Sequence, residues 1–75
     1  MPDSHSQVVA ANVRAAAARK RASQSDLGRV LGVSQAAVSR RLLGRMSFRV
    51  DELRLLAEYL DAPIESLMAD EVVAS

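Results

Sequence analysis

The sequence predicts an all-α domain, a compact five-helix fold built around two short helices that meet at a tight corner. Three observations predict it. Apolar residues recur at i, i+3 and i+4 through most of the chain, the period of a helix face rather than of a strand. The apolar complement is mainly Ala, Leu and Val, with a single Phe and a single Tyr, a profile suited to close helix packing. Ser or Pro opens several of the periodic segments, and Gly follows two of them, as helix capping requires. Seventy-five residues make one domain with a small core.

Residues 1–6 hold Pro, Asp, Ser and His with no apolar partner and read as a flexible N-terminal tail. His5 is the only histidine and reads as an exposed bystander. The domain proper is expected over 7–69. Its first helix runs from Ser6 or Gln7 to Arg21, with Val9, Val13, Ala16 and Ala17 along one face and alanine content that favours helix. Arg19, Lys20 and Arg21 close it. Two compatible roles fit them: complementing the negative pole of the helix, and touching phosphates beside the corner that follows.

Ser23 and Asp26 have the spacing of a capping box, opening a second helix whose stripe is Leu27, Val30 and Leu31. Gly32 can end that helix in the left-handed conformation without Cβ strain. Ser34 caps a third helix with Val38 and Leu42 inward and Gln35, Ala36, Ser39 and Arg40 outward. Gly28 is placed where the two helices must approach closely, and Ala36 and Ala37 leave the front of the third helix slim. Residues 43–49 form a loop with a turn at Gly44, where Arg45 and Arg49 are positioned to grip a nucleic-acid backbone. Phe48 reads as a plug under that loop.

A fourth helix covers Val50 to Leu60, with Asp51 and Glu52 in its first turn, where negative charge is favoured, and Leu53, Leu56, Ala57 and Leu60 as its stripe. The carboxylates of the chain are expected at helix starts and on solvated faces. Pro63 opens a short fifth helix carrying Ile64, Leu67 and Met68. Residues 70–75 form an acidic C-terminal tail with Val72 and Val73.

Two short helices joined at a corner Gly make a helix-turn-helix, the motif whose second helix reads the major groove. Its hydrogen-bonding outer face suits base edges. The charge map agrees. Net charge is only +1, but residues 14–49 carry nine of the ten basic groups (Arg14, Arg19, Lys20, Arg21, Arg29, Arg40, Arg41, Arg45, Arg49) against Asp26 alone, a balance of +8. Residues 50–75 hold Arg54 against seven acids, a balance of −6. The basic part thus coincides with the motif and its flanks, as a polyanion-binding surface requires. Arginine supplies nine of those ten basic groups, and its planar fork matches phosphate and guanine better than a lysine does.

Other classes recede. With no Cys, disulfides and thiolate metal sites are excluded. No cofactor, no metal and no small-molecule substrate are expected. An enzyme is disfavoured, because no nucleophile–base spacing and no Gly-rich phosphate loop occur. No apolar run approaches the roughly 20 residues that span a bilayer, so no membrane partner is expected. The start lacks the pattern of a secretion signal, and a cytoplasmic location is the expectation.

The residues Ser23-Gln24-x-x-Leu27-Gly28, Leu31-Gly32-Val33-Ser34-Gln35-x-x-Val38-Ser39-Arg40, Gly44 and Leu53-x-x-Leu56-Ala57-x-x-Leu60-x-x-Pro63 together resemble the Cro/CI-type (XRE-like) helix-turn-helix repressors over residues 9–69. The run Gln35-Ala-Ala-Val-Ser-Arg-Arg-Leu42 is similar to small actinobacterial and actinobacteriophage repressor and Cro proteins. The resemblance implies a lambda-repressor-like DNA-binding domain with the third helix in the major groove. It implies base-edge contacts from Gln35, Ala36, Ser39 and Arg40, with Arg40 the guanine fork. It further implies that Gln24 touches the backbone and steadies Gln35, and that Ser34 and the start of the third helix meet a phosphate. Two departures stand out. Where many members pair an Arg on helix one with a Glu near the end of helix three, this chain has Ala17 and Leu42. Where the family often has Trp or another apolar residue, it has Arg41, expected to snorkel outward and add a backbone contact.

The function this implies is a sequence-specific double-stranded DNA-binding regulator, a phage-type repressor or Cro-like protein acting at an operator, with a role in phage immunity. Ile64, Leu67, Met68, Val72 and Val73 leave room for a homodimer through the C-terminal helix without requiring one. The same residues and the acidic C-terminal half motivate the alternative, an antitoxin or partner-recruiting helix-turn-helix module.

Overall fold

The computed structural model describes residues 4–69. Among them are five helices: α1 (Ser4–Lys20), α2 (Gln24–Leu31), α3 (Gln35–Leu42), α4 (Val50–Tyr59) and α5 (Ile64–Met68). Residues 1–3 of the expected 1–6 tail, and the acidic tail at 70–75 with Val72 and Val73, lie outside the described residues. Helix α1 opens two residues before the predicted start, so His5 and Ser6 belong to it. Ser6 is buried and shares a hydrogen bond of 2.6 Å with Ser47. The long-range partner, invisible to local pattern, accounts for the early start.

Helix α1 packs on α3 and α5, α2 packs on α3 and α4, and α4 meets α5. The predicted stripes converge on one core. Val9, Val13, Ala16 and Ala17 of α1 meet Leu27, Val38, Leu42, Leu53, Leu56, Ala57, Leu60 and Leu67. Full burial of a Leu or Val contributes about 1.5–3 kcal/mol, and Val13, Leu27, Val38, Leu56 and Leu67 are the largest side chains so buried. Phe48 packs, half-buried, under the loop as expected. Leu67 is fully inside and Ile64 packs against the core, so within α5 only Met68 offers a partly exposed large apolar side chain to a second molecule.

Four helices end with the same long backbone bond of the Schellman motif. Ala22 N donates to Ala17 O, Val33 N to Gly28 O, Arg45 N to Arg40 O and Ala62 N to Ala57 O, at 2.9–3.0 Å. The residue in the left-handed conformation is Gly at two of them (Gly32, φ 72°; Gly44, φ 75°) and Arg21 (φ 56°) and Asp61 (φ 54°) at the others. The predicted first helix included Arg21; its left-handed backbone instead places it just past the end.

Candidate nucleic-acid interface

The corner between α2 and α3 follows from three local features. Ser23 Oγ accepts from Asp26 N at 3.0 Å while Ser23 N donates to Asp26 Oδ2 at 2.9 Å, the reciprocal capping box. These bonds from Ser23, aided by Arg29, hold the Asp26 carboxyl below its ordinary range. Gly32 then turns the chain, and Ser34 Oγ accepts from Ala37 N at 3.1 Å to open α3. A Cβ on Gly28 would lie 2.8 Å from Val33 O, so the close approach leaves room only for hydrogen there.

Val38 and Leu42 anchor α3 in the core. The opposite face carries Gln35, Ala36 and Arg40 exposed and Ser39 half-exposed. Residues 35 and 39, and 36 and 40, are one turn apart, so the four form a single slim face with donors and acceptors. Ser25 Oγ donates to Gln35 Oε1 at 3.3 Å. The bond expected from Gln24 is thus supplied by its neighbour, and Gln24 is half-buried at the first residue of α2. Ser34 stands exposed at the α3 cap.

Arg45 and Arg49 lie exposed in the loop after α3, Arg49 within 3.6 Å of the Asp51 carboxylate. Arg19, in the last turn of α1, and Arg21, just past its end, are exposed. Both partners of the Arg49 pair are largely exposed, so the attraction is weak and water-screened.

Arg41 departs from expectation. It does not turn outward: it is 9% exposed and its fork is spent inside the fold. Its Nε donates to Glu52 Oε1 at 3.2 Å, one terminal nitrogen to Glu52 Oε2 at 3.1 Å, and the other to Ala37 O at 3.2 Å. Glu52 stands in the first turn of α4 as expected, and is buried to the same extent. Sequence signals for both existed. Arg41 is three residues from inward Val38, and Glu52 is four before inward Leu56, so each falls next to a buried stripe. An Arg and a Glu so placed satisfy one another, since either alone would be a stranded charge. On the other side of α3, Arg14 of α1 donates to the Leu42 carbonyl, capping the helix C-terminus with a cation. Ala17 and Leu42 are both buried members of the one core cluster.

A family model described as helix-turn-helix matches residues 16–67. No curated protein matches the chain. Among solved structures it is similar to the solution structure of the SOS-response transcriptional repressor LexA from Eubacterium rectale, with a TM-score of 0.83 and 19% identity, covering all of this chain and 80% of that one. The latter likeness is one of fold.

Proposed function

Because this chain belongs to the helix-turn-helix family of the Cro/CI (XRE-like) type, and so to the DNA-binding transcription regulators in the broad sense, we propose that α3 reads a double-stranded DNA operator. The protein then acts as a phage-type repressor or Cro-like protein, by occupying that site. The observation that supports this is the slim exposed face of α3, with Gln35, Ala36, Ser39 and Arg40 outward while Val38 and Leu42 fix the helix from behind. Arg40 has the length and the fork to reach a guanine edge. Arg19, Arg21, Arg45 and Arg49, with Ser34 and Gln24 at the helix starts, serve the sugar–phosphate backbone.

Selection from random duplexes at about 150 mM salt, where non-specific binding is weakened, tests the reading. Enrichment of two inverted half-sites one helical turn apart is the expected result for a dimer. Arg40→Ala then loses discrimination at one base pair, worth about 1–3 kcal/mol, while Arg45→Ala weakens binding to all duplexes alike. Equal loss on every sequence from Arg40→Ala overturns the base-reading role.

Leu55 and Tyr59, one turn apart on α4 and each 46% exposed, favour a second reading, a module that recruits a protein partner. Absence of any enriched duplex, together with co-purification of a partner lost on Tyr59→Ser, would select it.

A further inference from the structure

We propose that Glu52 is a positioning residue for DNA binding: it touches no DNA, but its single carboxylate closes the loop after α3 and holds α3 and that loop as one rigid unit. The inference rests on the DNA-binding reading above and deepens it. Two ends of the loop meet at this group. At the start, the Arg41 fork grips both carboxylate oxygens, at 3.2 and 3.1 Å. At the far end, the backbone N–H of Arg49 donates to Oε1 at 3.0 Å.

Between those two anchors run residues 42–48, including Arg45, and Arg49 itself is the second anchor. Arg41 also returns a bond to Ala37 O, so the carboxylate is coupled to the first turn of α3 as well as to its last. The middle of the loop is seated independently: Gly44 lies over Gln7, with no space for a Cβ, and Ser47 bonds to Ser6. Both loop arginines, Arg45 and Arg49, are therefore set relative to the base-reading face by bonds that converge on one side chain. An apolar pair could fill the same volume, but it could not fix the direction of the Arg49 N–H or tie both loop ends to one point. The device is a substitute in kind for an ion pair between helices one and three, because it secures the same end of α3 from the other side.

The sign of the electrostatics makes this testable. Removing a negative charge from a DNA-binding domain, by itself, strengthens attraction to phosphates. Glu52→Leu does so, removes every acceptor for Arg41 and the Arg49 N–H on that side chain, and is nevertheless expected to weaken operator binding at least about tenfold and to flatten the salt dependence by about one unit of slope for each phosphate that is no longer neutralised. Folding is verified by circular dichroism in the same buffer. Glu58→Gln, which removes an exposed charge on the same helix, serves as control and is expected to bind as tightly as wild type or more tightly. Arg41→Met/Glu52→Leu, which replaces the pair by apolar bulk and should fold, is expected to show the same weakening. Faster amide exchange confined to 43–49 in both variants is the accompanying signature.

Wild-type-like affinity and salt slope in folded Glu52→Leu, or in the double variant should the single one not fold, overturns the proposal while leaving DNA binding intact. Failure of the wild type to bind any duplex overturns the DNA reading, and the positioning role with it.

Discussion

Gly28 and Arg21 make opposite demands on the backbone. At Gly28 the constraint is space: a methyl would lie 2.8 Å from the Val33 carbonyl oxygen, which is backbone and cannot swing away. Gly28→Ala must therefore open the corner, at a cost of about 1–3 kcal/mol for overpacking, offset by at most about 1 kcal/mol of helix propensity. Chemical denaturation should show a net loss; a neutral or stabilised variant would mean that the helices do not meet there so closely. At Arg21 the constraint is conformation. A left-handed φ of 56° costs a residue with a Cβ roughly 1–2 kcal/mol, and Gly removes that cost while adding less than about 1 kcal/mol of unfolded-state entropy. Arg21→Gly should raise the thermal midpoint by a few degrees. Because Arg21 is also proposed to meet a phosphate, the same variant should bind DNA more weakly while being more stable, a split that a purely structural residue would not produce.

At the scale of elements, α2 is held at its start by a capping box whose acid titrates. Asp26 has a folded pKa below its ordinary value of 3.8, chiefly through its bonds with Ser23. The sign follows from linkage: a depressed folded pKa gives stability that is present in full above the unfolded value and is lost as pH falls through the folded one. Asp26→Asn should accordingly lower stability at neutral pH and flatten its fall in the acid range below about pH 4. Unfolding curves at several pH values with an unchanged slope would argue that the box contributes nothing. This box, the Ser34 cap, the Gly32 turn and the inward stripes were legible in the sequence because each depends on residues within one or two helical turns. The Arg41–Glu52 pair was not, since its partners are separated by a loop whose path is set by Ser6 and Gln7 of α1, which meet Ser47 and Gly44. An Arg beside an apolar stripe has two solutions, to snorkel or to find an acid, and only the fold tells which. The Ser25 bond to Gln35 was not legible either, since the resemblance pointed to Gln24 for that contact and local pattern does not name the partner.

For the molecule as a whole, the basic stretch 14–49 is not all available to a polyanion. Arg41 is neutralised inside by Glu52, at 3.1 Å with both side chains nearly covered. The other three ion pairs among the described residues, Lys20–Asp61, Arg29–Asp26 and Arg49–Asp51, span 3.4–3.8 Å and each has a largely exposed partner, so a phosphate can displace them at little cost. This bears on how steeply binding should depend on salt. With Arg41 set aside, the arginines proposed for the backbone are Arg19, Arg21, Arg45 and Arg49. Each phosphate neutralised contributes about −0.9 to the slope of log K against log salt on duplex DNA. Four of them predict a slope of about −3.6 for each protein copy bound, and about −7 for two copies on one operator. A titration between about 50 and 200 mM salt on the selected duplex, with stoichiometry from analytical ultracentrifugation, measures both quantities at once. A slope near zero would show that the charge asymmetry serves solubility and not binding. A slope steeper than these four arginines allow would bring in Lys20 and Arg29, released from Asp61 and Asp26. Replacing the pair together, as Arg41→Met/Glu52→Leu, should change the slope from wild type only through the loop the pair positions, since the Arg41 charge is neutralised inside the fold by Glu52.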